Sequence, residues 1–249
     1  MQPAPMQITY VPVLPQHAVG MVILLALGLQ VAPLSPAQSA HPSAHPAPSP
    51  AKEALEISLE QQIGGQAQSV TPKHVFDSGD IIRIRVTSDY DGYLYVMDQG
   101  TSGSFATVFP SGTAGTDNQV HRGQSYLIPS TTDGWFKISG PAGFDVLYFL
   151  LSPEPIATPA AASFASPGPV SSLKPRCNDA AFRARGDCID VLAGPAPLPK
   201  DAPLPAPIAP LAGAASRDIT VVTKKEGVTV ATGGSKTAPV IYTFRLAHN

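Results

Sequence analysis

Asp77, Asp80, Asp89 and Asp91 form the densest acidic group of the chain, and Asp89-Tyr90-Asp91-Gly92 loosely resembles a calcium loop. Calcium takes several hard oxygen ligands, but an EF-hand places its glycine later and closes with a twelfth-position glutamate that is missing here. Turn chemistry accounts for these aspartates better than a metal does. His74, His121 and His248 have no metal-ligand spacing, and His121 beside Arg122 reads as a loop or strand-edge residue rather than a general base. Gly100-Thr101-Ser102-Gly103-Ser104 lacks the Gly-x-Ser-x-Gly nucleophile elbow. Neither a Ser-His-Asp set nor paired carboxylates is legible. The expectation is therefore no catalytic residue, no metal, no cofactor and no enzymatic activity. A hydrolase whose Asp or His residues meet only on folding stands as an alternative.

Tyr93, Tyr95, Tyr126 and Trp135 are the candidate ligand-binding aromatics. Side by side in the open they would make a platform for sugar or peptide, whereas alternating aromatics in a sandwich more often serve its core. Arg83 and Arg85 alternate on one strand and read as a solvated strand face. With a net charge of −2 and no basic stripe, the chain excludes nucleic acid as a partner.

Cys177 and Cys188 flank Asn178–Asp187. Two cysteines without His or carboxylate partners cannot make a structural zinc site. In an oxidising compartment a local disulfide is the natural reading, closing a short loop with roughly 3 kcal/mol of stabilisation; two free thiols are the alternative. Arg185-Gly186-Asp187 matches an integrin-binding tripeptide, which is too short to carry meaning.

The elements that must position these residues are strands. Between 55 and 153 the apolar residues alternate with period two: Leu55, Ile57 and Leu59, then Ile82, Ile84 and Val86. Asp91-Gly92 before Tyr93–Met97 predicts a hairpin whose glycine takes a positive φ. Short strands follow near 105–109, 124–128 and 134–138, and the nearly continuous apolar run Val146–Leu151 predicts a central strand. In the tail, Ile219–Thr223 and Val228–Thr232 flank Lys224–Gly227 as a second hairpin, and Val240–Leu246 is a last strand. Turn-rich short strands of this kind predict an all-β, immunoglobulin-like β-sandwich.

The 28 prolines concentrate in two stretches, about 31–50 and 154–215. Few side chains there are worth burying, so these stretches are expected to add little folded mass. The long Pro/Ala-rich crossing precedes the C-terminal strands, and its one expected helix is a short turn near Asp179–Arg185 capped by Asn178. Ala18–Ala32 is an apolar run of the length of a secretory leader and short of a comfortable membrane span. Ser35-Pro36-Ala37 offers a cleavage site; an uncleaved membrane anchor is the alternative. The expected organisation is a signal peptide at 1–37, a linker at 38–53, a β-sandwich at 54–153, an irregular segment at 154–216 and docking strands at 217–249.

Phe76-Asp77-Ser78-Gly79-Asp80, Asp91–Val96, Phe109-Pro110, Asp117-Asn118 and Gly123–Pro129 occur in that order. In this ordered set the chain resembles the bacterial domain of unknown function 4384 family over about residues 70–153. Gly143-Phe144-Asp145 departs from the family's pattern, which tends to have Thr and Glu after that Gly. The resemblance implies an extracytoplasmic β-rich module with no catalytic residues to carry over; the kinase or caspase-like domains joined to some members are missing here. The functional expectation is an exported, non-catalytic binding or interaction module of the bacterial cell envelope, periplasmic or extracellular. Its partner would be an envelope protein, peptide or glycan, and it would meet the membrane only through an uncleaved N-terminal segment. An envelope-structural protein with a spacer segment is the alternative.

Overall fold

The computed structural model describes residues 9–10, 53–132, 134–157, 164–165, 173–176, 188–196, 198, 204–206, 208–212, 219–232 and 238–249. All of them belong to one contact unit, Met1–Val13 with Lys52–Asn249. The expected leader core at 18–32, nearly all of the 38–53 linker, the Asp179–Arg185 helix and the Arg-Gly-Asp tripeptide lie outside the described residues. Among the described residues no helix is long and apolar enough to cross a membrane.

In chain order the strands are β1 (Thr9–Tyr10), β2 (Glu53–Ile63), β3 (Gln66–Val70), β4 (Val75–Phe76), β5 (Ile81–Ser88) and β6 (Gly92–Gln99). Next come β7 (Ser104–Phe109), β8 (Gln119–Val120), β9 (Ser125–Ile128), β10 (Phe136–Lys137) and β11 (Gly143–Ser152). The last are β12 (Phe164–Ala165), β13 (Gly194–Ala196), β14 (Ile219–Thr223), β15 (Val228–Thr232) and β16 (Val240–His248), with one short helix, α1 (Ala209–Ala212), before β14. They form two sheets. One, here sheet A, runs β1-β10-β5-β2-β15-β14, with β3 on β2 and β9 on β5. The other, sheet C, runs β12-β7-β6-β11-β16-β13, with β4 on β16 and β8 on β6.

Two-residue alternation explains the layering. In β5 every second residue is buried, giving Ile82, Ile84, Val86 and Ser88 to the interior. Leu55, Ile57 and Leu59 of β2 face the same way, and Leu94, Val96, Leu147, Phe149, Tyr242 and Phe244 of sheet C meet them in one apolar cluster. The fold is all-β, two multi-stranded sheets packed face to face.

The predicted tail hairpin forms: β14 and β15 pair across Lys224–Gly227, closed by the Lys224 amide donating to the Gly227 carbonyl at 2.7 Å. It does not travel with the last strand. The hairpin extends sheet A through β2, whereas β16 inserts between β11 and β13 of sheet C. Val146–Leu151 lies inside β11, which is paired on both sides.

The predicted hairpin at Asp91-Gly92 is corrected. β5 belongs to sheet A and β6 to sheet C, so this turn carries the chain from one layer to the other. Gly92 has no positive φ. What it provides is close approach, since a Cβ there would stand 2.7 Å from the Ser152 carbonyl oxygen. The hairpin that does form nearby is β2–β3, turned by Gly64 and Gly65 at φ 59° and 80°, the left-handed pair that a two-residue turn requires.

The Pro/Ala-rich crossing also departs from expectation, because its described parts are packed. Ile208 is fully buried, and Leu198 and Leu204 pack on the outer side of sheet C. Proline fixes its own φ in the unfolded chain as well, which lowers the entropy lost on ordering such a segment. Of the expected Cys177–Cys188 clip, the described residues hold one half. Cys177 lies outside the described residues, and Cys188 holds no free thiol. The described fastening is made by backbone and carboxylate hydrogen bonds. Val75 N donates to Cys188 O at 2.8 Å and Asp190 N to Lys73 O at 2.9 Å. The Asp190 carboxylate accepts from Arg176 N and Leu192 N.

Candidate functional site

The four candidate aromatics divide between the two sheets. Tyr93 and Tyr95 lie on β6, and alternation turns Leu94 and Val96 into the intersheet core, so both tyrosines face outward on sheet C. Tyr126 sits on β9 and Trp135 precedes β10, both in sheet A.

On the sheet A side, Trp135 is buried and Arg83 lies over its ring, 4.4 Å from the centroid. Arg83 Nε donates to Glu60 Oε2 at 2.6 Å and Arg85 Nε to Glu60 Oε1 at 2.7 Å. Burial alone would raise the Glu60 pKa; the two guanidinium hydrogen bonds, with their charges, outweigh it and hold the carboxyl below its ordinary value. The two arginines of the alternating strand are thus spent on one carboxylate. Tyr126 is half-buried, and its hydroxyl accepts from His121 N and donates to Gln124. His121 Nδ1 lies 3.4 Å from Asp91 Oδ1, with both side chains largely exposed. The backbone amide of Arg122, ahead of that histidine, lowers the Asp91 pKa. Asp80 Oδ2 accepts from Asp77 N, as in a turn, and Asp77 Oδ1 takes the Asn249 side-chain amide. Among the described residues no three His, Cys, Asp or Glu side chains are placed to hold a metal ion.

The outer face of sheet C is different in kind. Tyr95, Met97, Phe105, Tyr148, Leu150 and Ile241 make an apolar cluster there, covered by Ile208. The Tyr95 hydroxyl donates to Ile156 O at 3.1 Å and accepts from Ile156 N at 2.7 Å, so the chain leaving β11 is pinned on the ring. Tyr148 donates to Gln99 Oε1 at 3.0 Å, and burial pushes its pKa up to about 12, keeping it a neutral donor. Tyr93, Val146, Leu198 and Leu204 border the cluster, partly buried. An outward sheet face this rich in rings suits an extended, weakly polar chain.

One constellation has no counterpart in the sequence reading. Asp98, Asp145 and His248 all fall in register with core-facing residues of β6, β11 and β16, and all three are buried. His248 Nε2 stands 3.2 Å from Asp145 Oδ2, at zero exposure on both sides. Asp145 Oδ1 accepts from Thr101 N at 2.7 Å, tying down the β6–β7 turn. Asp98 Oδ1 has no hydrogen-bond partner among the described residues. Desolvation, and after it the charge of Asp145, drives the Asp98 pKa well above its ordinary value. The three side chains lie inside the core, with Asp145 and His248 at zero exposure. Asp145 interrupting an otherwise apolar strand was the available signal.

No curated protein and no solved structure matches the chain. A family model does match, that described as Domain of unknown function (DUF4384), over residues 75–155. The match takes in β4 to β11, with the outward tyrosines, Trp135, Asp98 and Asp145, and leaves β2, β15 and β16 outside it. Over β4 to β11 the chain is thus similar to the DUF4384 family.

Proposed function

We propose that the chain is an exported, non-catalytic interaction module of the bacterial cell envelope, carried on an immunoglobulin-like sandwich. The observation that carries this reading is the ring-rich outer face of sheet C, a surface on which Ile156, Leu198, Leu204 and Ile208 pack. The apolar run Ala18–Ala32, with small residues behind it, supports export. The spacer reading is weaker, because the described Ile156 and Ile208 of the crossing are held against sheet C.

The test uses the full-length chain in a bacterial host, with a photo-crosslinking residue in place of the partly buried Tyr93 and an export-dependent reporter enzyme fused at the end. The reporter should be active, and should fall silent when residues 1–37 are deleted. Irradiation should give adducts of discrete mass in the envelope fraction. A silent reporter on the intact chain overturns export, and a failure to give adducts at Tyr93 overturns the interaction role of this face.

A further inference from the structure

Ile189-Asp190-Val191-Leu192-Ala193 is an apolar run broken by one carboxylate, and the carboxylate is the part that goes inside. Asp190 is buried; its Oδ1 accepts from Leu192 N at 2.8 Å and its Oδ2 from Arg176 N. Its own amide donates to Lys73 O at 2.9 Å, so three segments, around 73, 176 and 190, meet at this residue. An aspartate that accepts from the amide two residues on makes an Asx-turn. Ala193 N donating to Asp190 O at 3.2 Å closes a β-turn over it, with Val191 and Leu192 as the central residues. Ala193 packs into a small buried cluster with Val75, Phe144 and Ala247, which fixes the turn from below.

With the aspartate turned in, the side chains shown to solvent are aliphatic. Among the described residues six large hydrophobic side chains are exposed, and four of them, Leu173, Ile189, Val191 and Leu192, lie in these segments, Val191 at 67%. Lys73, Lys174 and Arg176 of the same segments are exposed as well. The one acid among residues 73–76, 173–176 and 188–194 is the buried Asp190. Lys73 and Arg176 meet the turn through backbone atoms, so their charged ends are not what holds it. Exposed apolar patches mark contacts with proteins or membranes. Protein hot spots favour Trp, Tyr and Arg, with Leu and Val under-represented. An aliphatic turn tip flanked by bases instead pairs apolar area with positive charge, the combination that holds a protein on an anionic bilayer.

We propose that the Asp190 turn docks the protein on an anionic lipid surface. Val191 and Leu192 enter the headgroup layer with Leu173 and Ile189 beside them, and Lys73, Lys174 and Arg176 pair with lipid phosphates. This adds a second surface to the interaction-module reading, and it stands without the ring face of sheet C.

The test uses the full-length chain with an environment-sensitive fluorescent residue in place of Val191. The same label at the exposed Val222 of β14 is the control, since it shares any lipid contact made by the apolar run Ala18–Ala32. On vesicles of phosphatidylglycerol and phosphatidylcholine in equal parts, the Val191 label should brighten and shift to the blue, and the Val222 label should not. Each Lys or Arg near an anionic surface contributes about fivefold, so K73Q/K174Q/R176Q should need about a hundredfold more lipid for the same response. L192S should weaken the response about three- to tenfold, the worth of burying the exposed half of a leucine. A silent Val191 label overturns the proposal, as does an equal response at Val222 or an undiminished response of the triple variant. If the substituted chains do not melt cooperatively, the labelled parent decides: a response indifferent to rising salt overturns the proposal. A lipid-free envelope extract that moves the Val191 label where vesicles do not assigns the turn to a protein and overturns it too. Adducts at Tyr93 alongside a silent Val191 label would leave the interaction module standing and remove only the lipid contact.

Discussion

Replacing Asp98 with asparagine should stabilise the protein at neutral pH and leave it nearly unchanged in acid. Asp98 is 7% exposed, one of its oxygens has no hydrogen-bond partner among the described residues, and Asp145 is a second buried carboxylate acting on it. Its folded pKa is therefore raised, by desolvation first and by Asp145 second. The sign follows from linkage. The folded state holds this proton more tightly than the unfolded state, whose aspartate has a pKa of about 3.9, so the stabilisation is complete below that value and is lost as pH rises through the folded pKa. Asparagine keeps the shape and does not titrate. The gain in neutral solution should be on the order of 1–3 kcal/mol, the linkage cost that asparagine escapes, at about 1.4 kcal/mol for each pH unit between the unfolded and the folded titration. With a urea slope of about 1–3 kcal/mol per molar, the midpoint should rise by roughly 1 M. Urea titrations of both full-length proteins at about pH 4 and about pH 8 separate this effect from the titrating groups that do not interact with Asp98, which cancel in the difference, whereas Asp145 titrates as part of it. An asparagine variant that is less stable at the higher pH, or a difference that does not change between the two, would refute the reasoning.

Three further outcomes follow from described contacts. Glu60→Gln should cost about 1.5–3 kcal/mol at neutral pH by breaking the charge-assisted bonds from Arg83 and Arg85. Because the folded pKa of Glu60 is lowered, that penalty should shrink as pH falls below the ordinary glutamate value of about 4.3, which parallel urea titrations would read. Ile208→Ala should lower stability by roughly 2–3 kcal/mol in thermal or urea unfolding, whereas a crossing detached from sheet C would show a change within about 0.5 kcal/mol. Gly92→Ala should destabilise by about 1–3 kcal/mol because its Cβ meets the Ser152 carbonyl; a small gain in the melting point would mean that the strands have room to part.

What the sequence disclosed follows from how locally each feature is encoded. The alternation of Ile82, Ile84 and Val86 with Arg83, Arg85 and Thr87 fixes a half-buried strand within seven residues, and β5 is that strand. The run around Val146 marks a strand with neighbours on both sides, as β11 has. Asp91-Gly92 was misread because the same dipeptide serves a turn within a sheet and a corner between sheets, and only the strand pairing, a non-local property, tells them apart. Gly64-Gly65 was legible by the same chemistry and went unread amid polar residues. Asp98, Asp145 and His248 lie on three strands, so their meeting depends on register. Composition also misjudged the crossing. Counting prolines concealed that Leu198, Leu204 and Ile208 are spaced so that they can reach one surface.

β16 is the partner that β11 waits for, and the whole proline-rich crossing lies between them in the chain. Until that strand emerges, Leu147, Phe149 and Leu151 belong to an open ribbon with a bare edge, and β2 likewise lacks β15. Pairings this distant in sequence form slowly. A polypeptide wired in this way can complete neither sheet before its last segment has been made, so its exposed strand edges are closed only at the end of folding.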